Sequence, residues 1–230
     1  MNERKFLTGN QLKIIALIAM TCDHIGAYLV PDELWLRVIG RLAFPVFAFM
    51  LGEGCRHTKK PKRRLVILGC WALVFQIAAY VALGHFRQFV LVSFFMAALL
   101  CISVENALKN RDAKSLGLLV TLVVAVFLVT EVLPFVLEKD LKFSVDYGFF
   151  GVLFPVVIFM SPKKSDKLVS AGVMTVMIAL GASSVQWYSL AALPLLGLYN
   201  GKRGRGNMKH FFYAYFPLHL IVIWILAWAL

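Results

Sequence analysis

Apolar runs about as long as a bilayer crossing recur from residue 14 to the last residue, with only short polar breaks between them. A helix that spans the hydrocarbon core needs about 20 mostly apolar residues, within a range of about 17 to 25. Nine stretches approach or meet that requirement, at roughly 12–30, 35–55, 65–84, 88–104, 115–137, 147–161, 168–182, 185–199 and 209–230. The sixth, seventh and eighth are short and require tilt, re-entry or local thinning of the bilayer. Backbone polar groups in lipid must be satisfied within their own segment. The expectation is therefore an all-α, polytopic membrane bundle of about nine transmembrane helices, forming a single domain over residues 1–230. With 60% hydrophobic and 16% charged residues, the composition leaves no stretch for a separate soluble domain. The start, MNERKFLTGNQLK, is basic and runs into an apolar segment, as a signal peptide does. However, residues 14–30 hold Asp23 and His24 and lack a small-residue cleavage pattern, so a retained first helix is expected.

Charge placement tests the helix count independently, because lysine and arginine concentrate in cytoplasmic loops. With the amino terminus inside, the inner segments hold Arg4, Lys5 and Lys13; Arg56, Lys59, Lys60, Lys62, Arg63 and Arg64; Lys109, Arg111 and Lys114; Lys163, Lys164 and Lys167; and Lys202, Arg203, Arg205 and Lys209. The outer segments hold only Arg37, Arg87, Lys139 and Lys142, beside Asp32, Glu33, Glu138, Asp140 and Asp146. The alternation predicts a cytoplasmic amino terminus and an external carboxyl terminus. It also explains the net charge of +12: cations beside helix ends orient the chain and meet anionic lipid head groups rather than nucleic acid. The segment RHTKKPKRRL reads first as a topology anchor, and second as a site for an anionic ligand such as a nucleotide phosphate. Cys22, Cys55, Cys70 and Cys101 fall in apolar helices without metal-ligand spacing or a disulfide framework, so no metal site is expected.

Ionisable groups at membrane depth are costly and mark functional positions. Asp23 and His24 lie past the middle of the outward-running first helix, and Arg37 and Arg41 at the outer end of the second. Arg37 and Arg41 are four residues apart on one helical face, able to address one anion or one carboxylate. Asp23 and His24 are adjacent, hence about 100° apart around a helix. Asp23 is therefore expected to pair with an arginine of the second helix, or with a group on another helix, leaving His24 for proton transfer near neutral pH. The structural alternative is an interhelical salt bridge with His24 as a hydrogen-bonding residue. Glu131 and Asp146 are placed where they can join this outer cluster, and His219 is expected near the middle of the last helix beside Pro217. Glu53, Arg56 and His57 mark the inner end of the second helix, where Glu53 is expected to pair with a loop cation rather than take part in catalysis.

The motifs LKIIALIAMTCDHIG, RVIGRLAFPVFAFMLGEGCRHT, VDYGFFGVL, LYNGKRG and FFYAYFPLHL together resemble the TraX family over almost the whole chain. That family is similar to a shorter relative of the membrane acyltransferase family 3. The resemblance implies a bacterial inner-membrane acetyltransferase that moves acetyl from cytoplasmic acetyl-CoA to an amine or hydroxyl at the outer face, on a pilin-like amino terminus, a glycan or a lipid. It nominates Asp23, His24, Arg37 and Arg41 through DHIG and RxxGR, Glu53, Arg56 and His57 through GEGxRH, and Asp146 and His219 through DYG and FPLH. His24 suits a general base, Arg37 or Arg41 an oxyanion or acceptor contact, and Arg56, Arg63 and Arg64 the phosphates of acetyl-CoA. Two other classes compete: a proton-coupled transporter relaying protons through Asp23, His24, Glu131 and His219, and a non-catalytic assembly protein for a surface appendage. No internal repeat or matched pair of broken helices favours the transporter.

Overall fold

The computed structural model describes residues 6–83, 87–88, 90–141, 144–206 and 208–229. Among the charges used above, Arg4, Lys5 and Lys142, and the side chains of Arg87, Glu138, Lys139, Asp140 and Lys209, lie outside what it describes. The helices are α1 (Gly9–Tyr28), α2 (Leu34–Gly40), α3 (Ala43–His57), α4 (Pro61–Leu83), α5 (Val90–Asn110), α6 (Ala113–Phe127), α7 (Leu133–Leu141), α8 (Gly148–Met160), α9 (Lys164–Leu180), α10 (Ala192–Gly197) and α11 (Lys209–Ala229). A π-helical segment, Leu128–Val132, joins α6 to α7, and a 3₁₀ helix, Ser184–Ala191, leads into α10. The described strand structure is a two-residue parallel pairing of β1 (Arg87–Gln88) with β2 (Ser144–Val145) and a bridge between Leu7 and Tyr199. The helical expectation holds.

Three helical stretches, Leu34–His57, Val90–Asn110 and Ala113–Leu137, are long and apolar enough to cross a membrane, and Gly148–Met160 and Ala214–Ala229 are shorter apolar helices. Their outward faces are apolar: Leu118, Val120, Val124, Phe127 and Phe135 along the α6–α7 run, and Ile225 and Trp228 on α11, are exposed. Exposed apolar surface on this scale is stable against lipid, not water. The second expected segment is divided: α2 ends at Gly40, and Arg41 and Leu42 form a turn before α3. The eighth is likewise divided into the 3₁₀ helix and α10.

The chain packs as two compact units, Met1–Met50 with Ala171–Leu230, and Leu51–Ser170. In the first, Thr8 caps α1 through a reciprocal box with Gln11. The orphan N–H groups of Gly9 and Asn10 donate to the carbonyls of Lys202 and Arg203 (2.8 and 2.9 Å). The loop LYNGKRG thus wraps the start of α1. Helices α1 and α2 form an antiparallel hairpin, because Asp23 faces Gly40 while Gly26 faces Leu36. A methyl group at Gly40 would overlap the Asp23 side chain, so only glycine admits that approach. Helices α1 and α11 run parallel, with Thr21, His24 and Tyr28 against Tyr215, His219 and Trp224 in the same order. Leu17, Ala19, Met20 and Ala43 are buried there among Leu42, Phe47, Phe212, Tyr215 and Phe216.

In the second unit α5 packs against α4, α6 and α8, burying Leu68, Phe75, Leu100, Val104, Val152, Phe154 and Ile158. The π-helical segment places Glu131 so that its Oε1 accepts from the N–H of Phe149 in the first turn of α8 (2.6 Å). A carboxylate there satisfies an orphan donor and opposes the positive end of the helix. Gly148 makes this possible: its φ is +54°, and a Cβ would lie 2.7 Å from Glu131 Oε1.

Candidate functional site

Asp23 lies where the α1–α2 hairpin closes. Arg37 Nη1 is ion-paired with Asp23 Oδ2 (3.0 Å) and donates to the Asp23 backbone carbonyl (2.9 Å), while Arg41 Nη2 donates to Asp23 Oδ1. Arg41 also donates from Nε to the Arg37 carbonyl (3.3 Å) and from Nη1 to Gln186 Oε1 (3.1 Å). Gln186 is buried in the 3₁₀ helix, where Ser189 Oγ donates to its carbonyl (2.5 Å). The spacing of Arg37 and Arg41 has its expected consequence: both guanidinium groups converge on one carboxylate. One carboxylate between two guanidinium groups leaves this trio with one net positive charge. The side chains of Asp23 and Arg41 are about 15% and 14% exposed and that of Arg37 32% exposed, so Arg37 is the member nearest the surface.

His24 points the other way, as the angle between neighbouring helical positions requires. Its Nδ1 is 2.8 Å from His219 Nε2, and His219 Nδ1 is 2.9 Å from the carbonyl of Tyr215. The two imidazoles are 5.0 Å apart between centroids, and the Tyr215 ring stacks on His219 at 5.3 Å and 9°. The hydroxyls of Tyr215 and Thr21 are 2.8 Å apart, and Thr21 Oγ1 donates to the Leu17 carbonyl (2.9 Å). One expectation is refined here: His24 is not left to itself by Asp23 but is tied to α11. His219 lies near the middle of the last helix, level with His24.

The remaining candidates fall in the second unit. Glu131 caps α8, and Asp146 precedes the left-handed turn at Tyr147 (φ 64°) that starts that helix. Glu53 is buried and ion-paired to Lys167, with His57 Nε2 at 3.9 Å. Arg56 donates to the carbonyls of Ser161 (2.8 Å) and Phe159 (3.4 Å) at the end of α8, and Arg64 Nη2 to that of Leu51 (3.4 Å). Of the inner-end groups Glu53, Arg56, His57, Arg63 and Arg64, Glu53 is thus paired with a cation, and Arg56 and Arg64 serve the protein's own carbonyls. His57 and Arg63 are exposed, as are Lys59, Lys60 and Lys62.

Gln186, Tyr215, Thr21 and Lys167 were not anticipated. Tyr215 and Thr21 had a local signal, standing four and three residues before His219 and His24 on the same helical faces. Gln186 and Lys167 had none, because each pairs with a group more than 100 residues away.

The family described as TraX protein matches residues 8–227. Over 246 residues the chain is 28% identical to the probable fimbrial assembly protein FimC, serogroup H1, of Dichelobacter nodosus, a match covering 93% of each. It is 40% identical over 103 residues to an uncharacterized protein of Rickettsia prowazekii (strain Madrid E), covering 43% of this chain and 38% of that one. Protein TraX of Escherichia coli is 33% identical over 72 residues, 31% of this chain and 29% of its own length. No solved structure matches. A family match running from the cap of α1 to the last turns of α11, on a chain whose apolar helices make it a membrane protein, places it: the chain belongs to the TraX family.

Proposed function

We propose that this protein is a multi-pass acetyltransferase of the bacterial inner membrane, transferring acetyl from cytoplasmic acetyl-CoA to an amine or hydroxyl of an acceptor at the outer face. The observation that carries the reading is the hydrogen bond between His24 and His219, which aims one imidazole from a helix that also presents a doubly arginine-bound aspartate. His24 takes the acceptor proton as the nitrogen or oxygen attacks the thioester carbonyl, and returns it to the sulfur as the C–S bond breaks. Arg37, the more exposed guanidinium, supplies positive charge to the developing oxyanion or holds the acceptor. Asp23 keeps both arginines in place.

Acetyl-CoA supplies the acyl group, and its phosphates call for cations outside the lipid. The exposed Lys59, Lys60, Lys62 and Arg63, with His57, fit that need better than Arg56 and Arg64, which are engaged elsewhere. The parallel run of α1 and α11 is consistent with two outward crossings separated by an odd number of passes. The name of the Dichelobacter relative, a probable fimbrial assembly protein, supports a pilin-like amino terminus as acceptor.

The test is acetyl transfer from labelled acetyl-CoA by the purified protein, with acceptors found by intact-mass comparison of surface proteins and glycans from cells with and without it. His24→Ala, folded and expressed as the parent, is expected to lose transfer by roughly 10²- to 10⁴-fold. Full activity in that variant removes His24 from the chemistry. Solute or proton flux in proteoliposomes without any coenzyme A binding overturns the transferase reading altogether.

A further inference from the structure

We infer that His219 is a positioning residue that sets the tautomer of His24 and shares its charge during transfer; this rests on His24 being the base. The reasoning begins at a carbonyl. The oxygen of Tyr215 can only accept, so the ring nitrogen 2.9 Å from it, His219 Nδ1, carries a hydrogen. A neutral imidazole has one N–H, so His219 Nε2 presents a lone pair. Its partner 2.8 Å away, His24 Nδ1, must then be the donor. With its only proton on Nδ1, neutral His24 carries the basic lone pair on Nε2, the nitrogen that takes the acceptor's proton.

Packing holds the chain of bonds in register. His219 is 7% exposed, stacked under Tyr215 and edge-on to Phe216 (5.7 Å, 73°). Tyr215 is in turn anchored to α1 through Thr21. A carboxylate in the same role would bring a second negative charge into a low-dielectric bundle, which is expensive. The carboxylate that is present, Asp23, is already committed to two arginines. A neutral imidazole orients the base without that cost. When His24 Nε2 accepts the proton, the Nδ1–H of the imidazolium still points at His219 Nε2, and the added charge spreads over both rings. The proton leaves with the coenzyme A sulfur, and both rings return to their starting tautomers.

The chain has five histidines, so ring ¹⁵N spectra of the full-length protein in lipid nanodiscs are tractable, with His24 assigned by its loss in His24→Gln. The expected wild-type spectrum shows His24 protonated on Nδ1 and bare on Nε2. In His219→Leu the proton moves to Nε2, and acetyl transfer falls by roughly 10- to 100-fold with folding intact. In His219→Gln the amide oxygen accepts the same hydrogen, so His24 keeps its proton on Nδ1 and transfer recovers to within about 10-fold of the parent. A His24 tautomer that ignores His219→Leu overturns the positioning role, while the loss of transfer in His24→Ala still supports the base. Full transfer in His24→Ala removes the base, and the positioning role with it. Equal loss of transfer in His219→Leu and His219→Gln, with His24 still protonated on Nδ1 in the latter, also refutes it.

Discussion

Removing the Asp23 carboxylate leaves two guanidinium groups facing each other in a partly buried hairpin. At an effective dielectric of about 20, unit charges 3.0 Å apart, the Arg37–Asp23 separation, attract by about 5.5 kcal/mol before any desolvation is counted. Arg37 is 32% exposed, which brings its share down to about 1 kcal/mol or less. Arg41 and Asp23 are about 14% and 15% exposed, and removing one partner of a buried pair costs about 3 kcal/mol or more. Arg41→Gln additionally disturbs the bonds to Gln186 and to the Arg37 carbonyl, worth about 1 kcal/mol each. The expected order of loss is Arg41→Gln, then Asp23→Asn, then Arg37→Gln. Because Asp23 and Arg41 share one interaction, the double variant should be less destabilised than the sum of its singles by about 2 kcal/mol. Unfolding by SDS titration in mixed micelles measures each free energy without reference to activity. A coupling below about 0.5 kcal/mol, or an Arg37→Gln as damaging as Arg41→Gln, would refute the division of the carboxylate argued here.

Lys167→Met strands the buried Glu53 carboxylate and is expected to destabilise the protein by about 3 kcal/mol, whereas Glu53→Gln combined with Lys167→Met recovers much of that loss, read by the same titration. Coenzyme A binding in the double variant should match the parent if the exposed cations carry it, and its loss would return Glu53 to the donor site. Asp112, outside the spans, caps α6 through Ser115, and hydrogen bonds from the Ser115 side chain and backbone hold its carboxyl below the ordinary aspartate range. A depressed folded value means that the cap's contribution is complete above the ordinary aspartate value and is lost as the pH falls through the folded one. Carboxyl ¹³C titration should show a lowered midpoint that rises in Ser115→Ala, and an unchanged midpoint would count against the cap.

The opposite facing of Asp23 and His24 was legible because it depends only on 3.6 residues per turn. The pairing of Asp23 with an arginine was legible because an isolated charge in an apolar helix needs a counter-charge, and Arg37 and Arg41 stand together on the next segment. Glu131 was less legible, since an acid in an apolar run looks the same whether it meets a substrate or the N-terminus of another helix. What distinguishes them is the π-helical turn and the positive φ of Gly148, which depend on how α8 enters. The basic loop was similar: its charge was readable, but which of its cations cap carbonyls was decided by the end of α8 for Arg56 and by α3 for Arg64.

The sequence by itself determined the apolar surroundings, the helical class and the opposed facing of Asp23 and His24, because hydropathy and helical periodicity act over a few residues. Only the tertiary structure decided that His24 meets His219 and that Arg41 meets Gln186. Those partners lie 195 and 145 positions apart along the chain, and their meeting depends on which helices pack together and on how far each is rotated. A rotation of about 100°, one residue's step, would exchange one partner for another while leaving the apolar pattern almost unchanged.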